Sequence, residues 1–341
     1  MDDNGQTPAS LMHAESGDAD MSALEKLADE FEWQYFDIPH DQRVYHYTSP
    51  DGLLGIVKDK GVNLRFTRYD CVNDFSEGRD VVRCYDLACR ELLKDGQIGV
   101  DFYNAIKDIE LDVSAVMSFS IDKHLTLDDR EIDIGREYVP LLCEAYICCF
   151  SRDGDSLPMW NYYSKKGVSQ GYNVGFDFGL TERENVTLLN ESVHMEMVSV
   201  IYDDNEKLCD IKRIIDTVYK RSASDPGYQN CQLLIKDELK KRMFRFKSQF
   251  FAHEQEIRLV LYVPVEIPED FRETDRLRIK YTSQNGYLVP YVDLVYKKEL
   301  LHRITVGPLL EKEISIRTLQ TIKTNYNYNY EIVTSNVPIR F

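Results

Sequence analysis

From Arg43 onward the chain alternates between strand-like and helix-like spacings of its apolar positions. Arg43-Val44-Tyr45-His46-Tyr47 is a β-rich run, and Ser49-Pro50 supplies an N-cap followed by proline at the first helical position. Leu53, Leu54, Ile56 and Val57 give that helix an apolar face, and Gly61 ends it. Val62 to Thr67 then alternates with the period of two that a half-buried strand requires. Asp74 and Glu77 stand at capping-box spacing ahead of a helix predicted to run to about Leu93. Residues 95–140 are acidic and read as mostly helical or irregular, with one alternating segment around Ser114 to Ser120.

Further on, Ala145 to Ser151 is strand-like, Pro158 to Tyr163 is a short helix, and Gly171 to Asp177 and His194 to Tyr202 are further strands. A helix pair is predicted at Lys207 to Arg221 and Tyr228 to Phe246, separated by the breaker Asp225-Pro226-Gly227. Strand patterns return at Ile257 to Val263, Leu277 to Tyr281, Tyr287 to Tyr296 and His302 to Val306. Apart from the Asn-Tyr alternation at Asn325 to Tyr330, nothing repeats.

This order predicts a mixed α+β protein with a mainly antiparallel, split sheet, because consecutive strands pair most readily with one another. Residues 1–22, rich in Asp, Ser, Ala and Gly, read as a mobile tail, with a short helix from about Met21 to Phe31 leading into the domain. Residues 23–341 read as one α+β domain with helical insertions near 75–140 and 205–246. The length of 341 residues, 43% of them hydrophobic, permits a large core, and 22 tyrosines with 15 phenylalanines make that core or its clefts aromatic.

Charge narrows the functions open to it. A formal net charge of −17 argues against non-specific nucleic-acid binding, which depends on clustered Lys and Arg. The local basic run Lys240, Lys241, Arg242, Arg245 and Lys247 reads as a solvated helix face. Eight cysteines without a C-x-x-C pair write neither a zinc site nor a disulfide framework, and fit reduced thiols in the cytoplasm. No leader pattern and no apolar stretch of about 18 residues is present, so no membrane association is expected.

Three stretches put polar, aromatic and small residues where plain core would be simpler: Tyr45-His46-Tyr47-Thr48, Phe150 to Tyr163, and His253-Glu254-Gln255-Glu256-Ile257-Arg258. In an extended strand Glu254, Glu256 and Arg258 share one face, so that Arg258 holds one carboxylate and leaves the other free. The plainer reading is an exposed edge-strand ion pair. His46 alone reads as an ordinary strand histidine, and Trp160 with Tyr163, three apart on a short helix, equally reads as core. Asp74, Glu77, Glu254, Glu256 and two histidines would be an oxygen-rich metal set, but no H-E-x-x-H or similar spacing is present, and no metal is predicted.

Over about residues 44 to 320 the chain resembles a mostly bacterial family called domain of unknown function 2971. The residues that carry the resemblance are Tyr45-His46-Tyr47-Thr48, Asn73-Asp74 with Glu77, Phe150-Ser151 to Trp160 and Tyr163, Gly171 with Gly175-Phe176-Asp177, Phe246-Lys247 leading to Glu254-x-Glu256-x-Arg258, and Ile304 to Pro308. The layout of a strand histidine, a helix, a second strand, an aromatic motif and a late E-x-E strand is also similar to the ADP-ribosyltransferase fold. That second resemblance implies NAD as substrate, bound between two small antiparallel sheets. His46 would be the ribose anchor, Tyr163 the ring stacked on nicotinamide, Glu256 the catalytic carboxylate and Glu254 its substrate-orienting partner, with Thr48, Trp160 and Arg258 completing the site. Trp160 and Tyr162 are alternatives for the stacking ring, and Tyr47 stands where many such enzymes have glycine.

Two functions follow as expectations. One is an NAD-consuming ADP-ribosyltransferase or glycohydrolase, a toxin or phage-defence effector with a macromolecular acceptor. The other is a non-catalytic module that binds or senses a nucleotide or peptide in the same pocket.

Overall fold

The computed structural model describes residues 43–72, 79–111, 115–127, 130–164, 171–179, 194–222, 226–265, 277–284 and 286–338, the backbone alone at 115–140 and at 194. The expected tail at 1–22, the helix at Met21 to Phe31, and Asp74 with Glu77 lie outside these residues.

The long strand β5 (Arg130–Ser151) is the spine of the molecule. Its first half pairs antiparallel with β4 (Ala115–Leu127), and its second half, Cys143 to Ser151, pairs antiparallel with β8 (Glu256–Pro264). β7 (His194–Ser199) adds to the far edge of β8. The other edge of β5 forks. At Tyr146 and Ile147 it meets β3 (Gly61–Arg68), which continues through β10 (Tyr287–Tyr296) to the edge strand β9 (Lys280–Gln284) and carries the two-residue β2 (Val57–Lys58). At Ser151 it meets β1 (Arg43–Thr48), which continues through β6 (Tyr172–Asp177) and β11 (Leu301–Val306) to β12 (Glu331–Thr334). Every pair except β11–β12 is antiparallel. The α+β class and the predominance of antiparallel pairing therefore stand, and the split is a fork within one hydrogen-bonded sheet.

Both branches contribute to one buried cluster, with Val44, Leu64, Phe66, Phe150, Phe176, Ile257, Leu261, Leu294 and Ile304 among its members. α1 (Pro50–Ile56), capped by Ser49 as its sequence predicts, adds Leu53 and Ile56. α7 (Lys312–Asn325) adds Leu319, and the Asn-Tyr alternation that follows it delivers Tyr328 and Tyr330 to the core. Their hydroxyls donate to the carbonyls of Lys58 and Leu319, both at 2.8 Å, so neither buried phenol is left unsatisfied.

A helical layer of α2 (Arg79–Lys94), α5 (Asp204–Arg221) and α6 (Gln229–Met243), whose members pack on one another, reaches β8 through Phe244, whose ring meets that of Tyr262 edge-on. α3 (Val100–Ile106) completes it. The predicted insertion near 75–140 is thus helical only through α2 and α3, and becomes the β4–β5 hairpin from Ala115. The alternation of Glu131, Asp133 and Glu137 with Ile132, Ile134 and Tyr138 is the period of a strand, which the acidic composition obscured. No helix among the described residues is long and apolar enough to cross a membrane.

Gly171 shows how closely the β1 end packs. A Cβ there would lie 2.0 Å from the Thr48 carbonyl oxygen and 3.0 Å from that of Ser164, both of them backbone atoms. Gly171→Ala is expected to cost roughly 3 kcal/mol through overpacking, read as a lower urea midpoint with an unchanged m value.

Candidate functional site

Where β5 forks, its pairing with β3 and β1 lapses between Ile147 and Ser151. A cavity of about 250 Å³ opens there. β1 contributes Tyr45, His46 and Tyr47 to its wall, β3 contributes Arg65 and Thr67, and β5 forms one side with Ile147 to Ser151. Tyr163, Lys247, Phe251, Glu254 and Glu256 line it further, with Cys71, Val72, Met159 and Gln284.

At the lapse, the Cys149 carbonyl is met by a side chain: His46 Nδ1 lies 2.9 Å from it. A carbonyl only accepts, so Nδ1 carries the proton and donates, and the neutral ring keeps a lone pair on Nε2. Burial lowers the His46 pKa below 6.5, against the opposing pull of the Cys149 hydrogen bond, so the neutral form prevails at pH 7.

The same cavity carries a group of buried charges. Lys247 Nζ donates to Glu254 Oε2 at 2.6 Å and to Glu256 Oε2 at 2.9 Å. Arg258 grips Glu256 with two bonds, Nε to Oε1 at 2.9 Å and Nη2 to Oε2 at 3.0 Å, and its Nη1 donates to the Phe244 carbonyl at 3.1 Å. The Tyr163 hydroxyl donates to Glu254 Oε1. Lys247, Glu254 and Glu256 are 6%, 4% and 5% exposed, and Arg258 is fully buried. Burial alone would raise the pKa of Glu256, but Arg258 and Lys247 prevail and bring it from 4.5 to about 2. Burial alone would lower that of Lys247, but Glu256 and Glu254 raise it, so the ammonium stays charged.

Local backbone structure brings the two glutamates together in a way that differs from the expected strand. Glu254 ends a 3-10 turn, Gln249–Glu254, and Gln255 adopts a left-handed conformation, φ 45° and ψ 51°. β8 begins only at Glu256. Glu254 and Glu256 therefore do not share a strand face by alternation; the turn at Gln255 swings both onto the same ammonium. Non-glycine residues rarely adopt such a conformation, and it is held here by Arg152 N donating to the Gln255 carbonyl at 2.9 Å.

Of the residues singled out in the sequence, His46, Tyr163, Glu254 and Glu256 line the cavity. Arg258 lies behind Glu256, holding it in place. Trp160 and Thr48 are not on the wall. The Trp160 ring is fully buried edge-on against Tyr47, at 4.9 Å, and its indole N–H donates to Asp155 at 2.8 Å. Thr48 packs on α1, where a Cβ at Gly52 would lie 1.9 Å from its Oγ1. Tyr162 points outward, 72% exposed, while Tyr163 caps α4 (Leu157–Tyr162) facing the cavity.

Lys247 is the residue that sequence reasoning missed. The basic run was expected to be a solvated helix face, but only part of it is. Arg242 is buried between Asp210 and Glu238 within the helical layer, and Lys247 is the hub of the site. Its signal was position: Lys247 follows the end of α6, outside any helix face, immediately before the turn that carries Glu254.

Residues 159–259 match the family described as protein of unknown function (DUF2971). The DUF2971 stretch thus spans Tyr163, Lys247, Glu254, Glu256 and Arg258, and the expected family resemblance holds over it. β1 with His46 lies outside. No curated protein and no solved structure matches the chain.

Removing the hub should be severe. Lys247→Met would leave two carboxylates buried side by side, and a loss of about 3–5 kcal/mol is expected in urea unfolding. Acid should act through the same groups. The folded pKa of Glu256 lies below its unfolded value, so its stabilisation is present above pH 4.5 and is lost as the pH falls toward about 2. His46, also depressed, adds a loss that begins as the pH falls below 6.5. Urea midpoints measured from pH 7.5 to 3 should therefore hold until about pH 6.5 and fall below it, and Glu256→Gln should flatten the lower part of that decline.

Proposed function

We propose that the cavity binds NAD and cleaves its nicotinamide–ribose bond, as an ADP-ribosyltransferase or NAD glycohydrolase. One observation carries this reading: His46 from the first strand, Tyr163, and the Glu254 and Glu256 carboxylates line a single cavity at the fork of the sheet. In the reaction the C1′–N bond breaks and its electron pair leaves with neutral nicotinamide. The ribose passes through an oxocarbenium-like state, and an acceptor hydroxyl adds to C1′ and gives up its proton.

The residues fit these needs. A carboxylate that stays ionised stabilises the developing positive charge without itself exchanging a proton. The Nε2 lone pair of His46 accepts a hydrogen bond from a ribose hydroxyl. Tyr163 offers a ring whose hydroxyl is pinned by Glu254.

One observation favours the second reading, a module that holds a nucleotide without cleaving it. Glu256 is already engaged by Arg258 and Lys247, and the charges of Glu254, Glu256, Lys247 and Arg258 sum to zero.

NAD consumption by the purified protein, with and without cell lysate, separates the two. The transferase reading expects NAD loss that falls by about 10²-fold or more in Glu256→Gln and in His46→Ala. Dependence on lysate would mark a macromolecular acceptor, as an effector acting on its own cell requires. NAD bound in calorimetry but not consumed selects the binding module, and absence of NAD binding removes the transferase reading.

A further inference from the structure

A row of register partners crosses five strands of the sheet: Arg303, Gly175, Tyr45, Ser151 and Glu256. Residues directly opposite one another in antiparallel pairs share a face, so Arg303 stands on the same side of the sheet as Tyr45, which lines the cavity, and Glu256 at its far end. Four strand spacings place the ends of the row about 19 Å apart along the backbone.

Arg303 is unusual among the arginines of this sheet. Arg43, Arg65 and Arg258 each hold a carboxylate, on Asp177, Asp293 and Glu256. Among the described residues Arg303 holds none, although Glu331 is its register partner on β12. Asp155, next to Gly154, is engaged by Trp160, Ser335 and the backbone N–H of Asn336. The Arg303 guanidinium lies 5.2 Å from the Tyr45 ring centroid and donates from Nη2 to the Tyr45 hydroxyl at 3.0 Å. Its Nε is buried without a hydrogen-bond partner. An unmet charged donor is costly, and a planar guanidinium is best met by two oxygens of one anion.

Two glycines pack closely against this pair, and a side chain at either would crowd it. A Cβ at Gly154 would lie 3.1 Å from Arg303 Nη2 and 2.9 Å from the Tyr45 ring, and one at Gly175 would lie 3.1 Å from that ring. The Tyr45 hydroxyl accepts from Arg303, which leaves its own proton to donate.

We propose that Arg303 and Tyr45 form a phosphate-binding subsite that extends the cavity across the sheet and takes the diphosphate of a nucleotide. The subsite rests on the nucleotide reading above for the identity of the whole ligand; the capture of the diphosphate group stands on Arg303 and Tyr45 without it.

Calorimetric titration of the full chain with inorganic pyrophosphate and with ADP-ribose tests it, alongside Arg303→Gln and Arg303→Lys whose folding is checked by thermal melting. Pyrophosphate is expected to bind the wild type, to bind Arg303→Gln at least about tenfold more weakly, and to be partly retained by Arg303→Lys, which keeps the charge and loses the fork. Equal binding to wild type and Arg303→Gln, or none to the wild type, overturns the subsite. Should Arg303→Gln not fold, Tyr45→Phe decides: weakening of severalfold supports the subsite and no change overturns it. Pyrophosphate bound by a protein that leaves NAD intact keeps the subsite and discards the NAD chemistry.

Discussion

The burial of Lys247 between Glu254 and Glu256 constrains much of the surrounding structure. Taking an ion out of water costs several kcal/mol even after relaxation, and only close, complete pairing offsets it. Completeness here draws on distant parts of the chain. Arg258 from β8 and Tyr163 from the end of α4 occupy the remaining carboxylate oxygens. The Lys247 main chain is fixed as well: its carbonyl accepts from the fully buried Lys207 at 2.6 Å, and Lys207 in turn is held by Asp80 and Asp204. The helical layer therefore positions the central cation of the site, beyond covering a face of the sheet.

The fork in the sheet is the second constraint. A strand edge that loses its neighbour exposes backbone groups that must be satisfied otherwise. At Cys149 the His46 imidazole does this, so one side chain both seals the gap and lines the cavity that the gap creates. Tyr47 plays a comparable part on the neighbouring loop. Its hydroxyl donates to the Asp153 carbonyl and accepts from Ser156 N–H, which fixes the turn leading to α4 and thus to Tyr163.

The period of the apolar positions was enough to locate most strands, the paired long helices and the antiparallel character of the sheet. It failed where composition masked period, in the β4–β5 hairpin, and it passed over α7, whose apolar positions are few and whose exposed face is extensive. At the site, the residue types were legible and their geometry was not. The E-x-E pattern suggested a strand face, whereas the left-handed Gln255 does the work of convergence, and no local propensity announces that conformation for glutamine. Trp160 resembled a ligand-stacking ring because a tryptophan in a polar motif draws notice. Its partner Asp155, which converts it into a structural clamp together with Ser335, lies five residues away and is visible as a partner only once the loop is folded. Lys247 was hidden by belonging to a basic run whose other members have different environments.

The charge arrangement also limits the chemistry that the cavity can support. With its pKa near 2, Glu256 cannot exchange a proton at neutral pH, and the raised pKa values of Lys247 and Tyr163 keep both of those groups protonated. These three groups supply fixed charges and dipoles, not proton transfer. His46 has the opposite character: burial keeps it neutral, its Nδ1 proton is committed to Cys149, and Nε2 keeps a basic lone pair. Any step that releases a proton from an acceptor hydroxyl in this cavity is therefore best served by His46. A reaction that instead requires a neutral carboxylic acid as donor does not suit Glu256. On these grounds the β8 side of the cavity carries fixed charges and the β1 side carries a neutral imidazole, so the two sides differ in kind and not only in sign.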